Sequence, residues 1–236
     1  MDKRRKGDRR ERRDDDMRPS ADWVPRTTLG KKVRAGQITS MDEVFAMGAK
    51  ILEPELVDYL LPGMRKEVVQ VTSTQRMTAY GRKQQMRSVV IIGDGNGFVG
   101  VGIGKAAESR DAINEAITDA KKRIVKVQLG CSSWECRCGT PHTIIREVKG
   151  QNSSTEIYLK PAPRGVGIVA NENAHKVLEL AGVKDVWTFT KGRTRNILNM
   201  VLATLDALDS LNVLKQGVAD EVAAEAAESP AAGETA

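Results

Sequence analysis

Apolar positions fall along the chain in runs of two periods. In residues 40–62 they recur at helical spacing. Ser40 and Glu43 form a capping-box spacing ahead of Val44, Phe45 and Met47, and Gly48 ends that turn. Pro54 suits the first position of a second helix, in which Leu56, Val57, Leu60 and Leu61 form one face before Pro62 stops it. The pattern then becomes extended. Residues 66–74 (KEVVQVTST) and 86–93 (MRSVVIIG) predict two strands joined by a polar, basic loop, QRMTAYGRKQQ. Asp94-Gly95-Asn96-Gly97 is a turn signal, and FVGVGIG predicts a third strand. Ser109 is placed to cap a helix running to about Arg123, with Ala112, Ile113, Ala116, Ile117 and Ala120 as its apolar stripe.

The second half repeats the mixture. Residues 124–129 read as extended and lead into a cysteine-bearing loop. Residues 143–149 and 155–160 read as a hairpin, and 161–171 (PAPRGVGIVAN) as turns. A helix over 172–181 is closed by Gly182, a strand covers 183–190, and a long helix over 194–211 uses Ile197, Leu198, Val201, Leu202, Leu205 and Leu208. The fold class is therefore α+β. It comprises a disordered basic extension (1–20), a helical extension (21–65), a strand-strand-strand-helix domain (66–127), a small α/β two-layer domain (128–215) and a disordered acidic tail (216–236).

Charge alters this picture. The chain has 236 residues and a net charge of +6. Residues 1–18 contribute +3 and residues 218–236 contribute −5, so the intervening segment carries +8. A basic folded body suits a polyanion, most often nucleic acid. No apolar run is long enough to span a membrane, and the charged N-terminus does not resemble a signal peptide. Three cysteines, an odd number, argue against a disulfide framework and for a reducing cytoplasm.

Gly95, Gly97 and Gly100 match G-x-G-x-x-G, yet a dinucleotide site needs a helix to open there, and Phe98 to Ile103 continue as a strand. No catalytic constellation stands out: His142 and His175 are the two histidines. Strands, a helix and loop cations can instead span the grooves of duplex RNA, which is recognised by shape. The candidates for RNA contact are Arg76, Tyr80, Arg82, Lys83, Gln84 and Arg87 in the first basic stretch, Asn96 in the glycine turn, and Lys105 and Arg110 at the helix start. Lys121, Lys122 and Arg123 at the helix end and Arg164 in the later turn complete the set. The helix-end cations equally suit the helix dipole. Cys131, Cys136, Cys138 and His142 offer four ligands of the types that bind structural zinc. The spacing also fits three free thiols in a loop with Trp134 packed down.

Residues 89–108 (VVIIGDGNGFVGVGIGKAAE), with the following KKRIVKV, resemble the signature of the small-subunit ribosomal protein S-five family. So does KPAPRGVGIVAN with VLELAGVKDVWT, within 160–188. The resemblance covers roughly residues 64–212, most of the chain. The stretch 40–62 and the loop WECRCGTPHT resemble the archaeal and eukaryotic branch. Membership implies a double-stranded-RNA-binding-like first domain and a second domain of the family's own α/β type. It implies a ribosome-bound structural role without catalysis. The protein would bind small-subunit ribosomal RNA near the junction of head and body, close to messenger RNA, touch neighbouring small-subunit proteins and support translational accuracy. One departure stands out: the branch often carries a further cysteine where this chain reads GQNSS (150–154).

Overall fold

The structure, a computed structural model, describes residues 23–136 and 138–212. The expected tails, 1–20 and 216–236, lie outside the described residues.

Three short helices open the described chain: α1 (Thr28–Arg34), α2 (Met41–Ala46) and α3 (Pro54–Leu60). The sequence pattern missed α1, whose inward side rests on little more than Val33 and Gly30. Its start is held by Thr27, whose side chain accepts from the Gly30 amide. The Glu53 carboxylate accepts from the Arg26 and Thr27 amides at 2.8 and 2.6 Å. At α2, Ser40 Oγ accepts from the Glu43 amide, but the Glu43 carboxylate reaches back to the Thr39 amide rather than to that of Ser40. Pro54 opens α3 as its spacing predicts.

The first sheet is antiparallel, in the order β1 (Arg65–Thr78), β2 (Gly81–Gly93), β3 (Phe98–Ala106), β4 (Ile124–Lys126). The expected basic loop between the first two strands is a correction. Its residues stay paired, Thr74 with Gln85, Arg76 with Lys83 and Met77 with Arg82, up to a two-residue turn at Ala79–Tyr80. Gly81 takes φ +136°, and Thr78 Oγ1 donates to the Gly81 carbonyl at 2.7 Å. A ribbon with solvent on both faces needs no apolar alternation, so its sequence reads as loop.

α4 (Ser109–Lys122) packs across β2 and β3. Ser109 is its first helical residue rather than its cap; Glu108 holds the cap position without a side-chain bond, because only two residues separate β3 from the helix. Gly100, Gly102 and Gly104 lie against the backbone of Ala112, Ala116 and Ala120, where an added Cβ would collide with helix carbonyls or amides. The alternating glycines thus let a helix rest directly on a strand. Ser88 Oγ donates to the Ala112 carbonyl at the same seam.

A second sheet, in the order β7 (Val148–Asn152), β8 (Thr155–Pro161), β10 (Val186–Gly192), β9 (Ile168–Val169), carries α5 (Glu172–Ala181) and α6 (Ile197–Asp209). A two-stranded ribbon, β5 (Leu129–Gly130) with β6 (Thr143–Ile144), flanks it. The expected strand 143–149 therefore divides: Thr143 and Ile144 pair back to β5, residues 145–147 leave the ladder, and the hairpin begins at Val148. The strand after α5 starts at Val186, because the Lys184 and Asp185 amides are spent on the His142 carbonyl.

The Asp94–Gly97 turn joins the two halves. Gly95 and Gly97 donate to the Leu180 and Ala181 carbonyls at 2.9 and 3.0 Å, satisfying carbonyls left open at the end of α5. Gly93 and Gly182 leave no room for a Cβ at this joint. Alternate residues of β2 consequently enter different cores. Val90 and Ile92 pack with α4 and the N-terminal helices, whereas Val89 and Ile91 join Val99, Val101 and the aliphatic residues of α5 and α6. Burial on both faces explains the unbroken VVII run.

Lys121 and Asp58 form a buried ion pair at 2.7 Å, their side chains 8% and 12% exposed, which ties α3 to α4. Burial pushes the Asp58 carboxyl up against the opposing pull of Lys121. Lys121→Met alone should destabilise the protein by about 3–5 kcal/mol by leaving Asp58 buried and unpaired, and adding Asp58→Leu should recover most of that loss. Gly102→Ala should cost about 1–3 kcal/mol or more through overpacking. Denaturant midpoints read both.

Candidate nucleic-acid interface and metal centre

β3 ends opposite Met86, so the segments of β1 and β2 nearest their turn project beyond the sheet as a two-stranded ribbon. Residues 73–85 contain three cations, Arg76, Arg82 and Lys83, and no carboxylate. All three are exposed, as is Gln84, and Tyr80 at the tip is 91% exposed. Opposed residues share a side, so Arg76 and Lys83 sit together and Met77 and Arg82 sit together. Without a balancing acid, this finger makes a positive potential that attracts phosphate, and Tyr80 adds a ring free to stack.

The remaining candidates disperse. Arg87 is opposite Lys105 across β2 and β3, half-buried where Lys105 is exposed. Arg110, Lys122 and Arg123 are exposed, Arg123 pairing with Asp119 at 3.1 Å. Asn96 donates to Asp94 in the turn that joins the two halves, its side chain outward. Arg164 is exposed between Pro163 and Gly165. Lys121 is a correction: it points inward to Asp58, because the apolar stripe of α4 carries it beneath α3, and it is no surface cation.

The loop between β5 and β6 brings Cys131, Cys136, Cys138 and His142 together, their ligand atoms all within 4.8 Å of one another. Cys138 Sγ lies 3.4 Å from Cys131 Sγ, and Cys136 Sγ lies 3.6 Å from His142 Nε2. These separations approach the edges of about 3.5–3.8 Å expected of a tetrahedron with metal–sulfur bonds near 2.3 Å. The Thr140 hydroxyl donates to Cys138 Sγ at 3.2 Å and, with the neighbouring thiols, pulls that thiol down to about 6. Its hydrogen bond with Cys138 and its burial push the Cys131 thiol up to about 11. Deprotonation of Cys138 is thus eased, and the thiolate is the form that ligates metal. The cluster is compatible with a metal site. Trp134 is 89% exposed, which corrects the expectation that it packs down: the loop folds around its sulfur atoms and leaves the ring in solvent.

His142 is positioned by its surroundings. Its amide donates to the Gly130 carbonyl, and its own carbonyl accepts from the Lys184 and Asp185 amides. Its Nδ1 lies 2.8 Å from Asp185 Oδ2, ion-pair distance without good hydrogen-bond alignment. Burial pushes the Asp185 carboxyl up, but the Gly167 and Gly165 amides and His142 outweigh it and hold the group below its ordinary range.

The sequence pattern does not reveal Asp185 behind His142, nor a wall of aromatic and basic side chains on the open face of the second sheet. Tyr158 pairs across the strands with Lys149 and Phe189, and Lys191 lies 5.2 Å from the Tyr158 ring centre. The run KGRTR (191–195), whose Lys191, Arg193 and Arg195 are exposed, was its visible signal.

Residues 64–128 match the family model "Ribosomal protein S5, N-terminal domain", and residues 150–225 match "Ribosomal protein S5, C-terminal domain". The small ribosomal subunit protein uS5 of Methanoregula boonei is 48% identical over 197 residues, covering 84% of this chain and 96% of that protein. Its counterpart in Methanocaldococcus jannaschii is 51% identical over 191 residues, 81% of this chain and 88% of the relative. That in Hyperthermus butylicus is 51% identical over 188 residues, 79% and 88% respectively. Two domain models matched in order, and relatives near half identity over most of both chains, make this chain a member of the ribosomal protein S5 family.

Proposed function

We propose that this protein is a ribosome-bound structural constituent of the small ribosomal subunit. It binds small-subunit ribosomal RNA near the junction of head and body, beside the channel that admits messenger RNA. There it meets neighbouring small-subunit proteins and supports accurate decoding. The observation that carries the RNA assignment is the projecting β1–β2 ribbon, cationic without a carboxylate and tipped by Tyr80. Such a finger, fixed at its base in a double-layered core, reaches into a groove at little cost in ordering entropy. Arg76, Arg82 and Lys83 neutralise phosphates, and exposed Lys105, Arg110, Lys122 and Arg164 extend the contact; none does chemistry. The archaeal-type Cys131, Cys136, Cys138 and His142 hold a structural zinc that organises the β5–β6 loop.

Two experiments test these assignments. Arg76→Ala, Arg82→Ala and Lys83→Ala together should weaken binding to small-subunit RNA and lower the salt slope by about 2–3, since each phosphate contact contributes a little under one. An unchanged slope would assign these cations to solvent. In sucrose gradients after a high-salt wash, the wild type should sediment with small subunits while the triple variant shifts toward free protein. For the metal, one equivalent of Co²⁺ should give thiolate charge-transfer absorption, which Cys136→Ser should abolish or strongly weaken.

A further inference from the structure

We infer that metal binding at the cysteine–histidine cluster sets the conformation of the turn over residues 161–167, and with it the aim of Arg164, through the Asp185 carboxylate. The inference rests on reading the cluster as a metal site. Asp185 is buried and divides its two oxygens. Oδ2 lies 2.8 Å from His142 Nδ1, on the ring whose Nε2 faces the sulfur atoms. Oδ1 accepts from the Gly165 and Gly167 amides at 3.0 and 2.9 Å.

From Pro163 to Gly167 the turn has few other contacts, whereas Pro161 is paired with Val186 and Ala162 is buried. Gly165 and Gly167 have φ of +95° and +77°, and space is open around the Cβ position of each. Val166 and Arg164 point to solvent. Besides Asp185, the hydrogen bonds run from the Ala162 amide to Thr143 Oγ1 at 3.4 Å, from the Val166 amide to the Pro163 carbonyl at 3.4 Å, and from the Val186 amide to the Gly167 carbonyl at 3.2 Å; Ala162 is itself buried, so the loosely held part is Pro163 to Gly167. Glycines gain many conformations when released, so the carboxylate works against a large entropy.

A metal on Nε2 determines the rest. The ring proton must then sit on Nδ1, facing Asp185, and the ring plane is fixed by coordination and by the backbone bonds of His142. A metal-bound histidine oriented by a carboxylate is a strong arrangement, and here that carboxylate also grips the turn. Without metal the Asp185 carboxylate still favours the proton on Nδ1, but the ring loses its anchor at Nε2, so Asp185 faces a less firmly held partner while remaining buried. Arg164, between Pro163 and Gly165, then loses its fixed direction toward RNA phosphate.

The test uses the full-length protein, zinc-loaded and zinc-stripped, with amide hydrogen exchange of Gly165 and Gly167 read by NMR. Stripping should speed exchange at both by about ten-fold or more, as expected when a local hydrogen-bonded unit opens. Asp185→Asn should weaken zinc about 10–100-fold while keeping the Co²⁺ thiolate bands. His142→Cys supplies a fourth metal ligand without a ring, so its zinc-loaded form should exchange like the stripped wild type. Failure of the wild type to bind Zn²⁺ or Co²⁺ would overturn the metal site itself. Normal binding with exchange at Gly165 and Gly167 indifferent to metal, or with zinc-loaded His142→Cys as protected as zinc-loaded wild type, would overturn the coupling alone.

Discussion

Backbone meeting backbone, where glycine removes the intervening Cβ, is the contact on which this architecture depends. It recurs through the described structure, and three sites show it best. Gly100, Gly102 and Gly104 of β3 receive the alanines of α4; Gly150 of β7 receives Ala203 and Ala207 of α6; and Gly93 and Gly182 close the joint between the sheet and α5. A chain with 4% aromatic residues has few large rings for filling space between layers. It brings the layers together instead, exchanging side-chain bulk for many short dispersion contacts. The joint adds hydrogen bonds from the Gly95 and Gly97 amides to carbonyls at the end of α5. The two halves therefore meet through satisfied polar groups as well as through one aliphatic core that contains Val89, Ile91, Leu178 and Val201.

That rigidity matters because the cationic groups lie at the periphery. Among the described residues no layer covers the β1–β2 ribbon, which is polar for that reason, so it draws its direction from the register it shares with the buried half of the same hairpin. From Val89 onward, β2 is gripped on both faces. A long strand buried at one end and bare at the other converts core stability into a defined direction for Arg76, Arg82 and Lys83. Arg164 is held differently. Two glycine amides of its turn bond to the Asp185 carboxylate, which on its other side faces His142 of the cysteine–histidine cluster.

The elements most legible in the sequence were those whose periodicity reflects burial. The stripe Ala112, Ile113, Ala116, Ile117, Ala120 located α4, and Gly182 marked the end of α5 with its left-handed φ of +86°. The FVGVGIG alternation predicts the observed strand, although what its glycines accommodate depends on α4. In sequence the ribbon reads as a loop, because solvent on both sides erases the two-residue period. Lys121 reads as a surface cation in sequence, because nothing in KKR tells which lysine continues the buried stripe beneath α3. The four metal-ligand candidates were visible as residue types, but their proximity was not.

The sequence by itself determined the fold class, the family, the basic character of the body and the donor set of the cysteine loop, since each depends on residue type and local order. Tertiary structure decided which cations face solvent, how far the basic hairpin projects, and that Asp185, 43 positions beyond His142, stands behind its ring. These properties depend on how separate segments approach one another. Such approaches are set by the sum of packing across the whole chain, which no local pattern encodes.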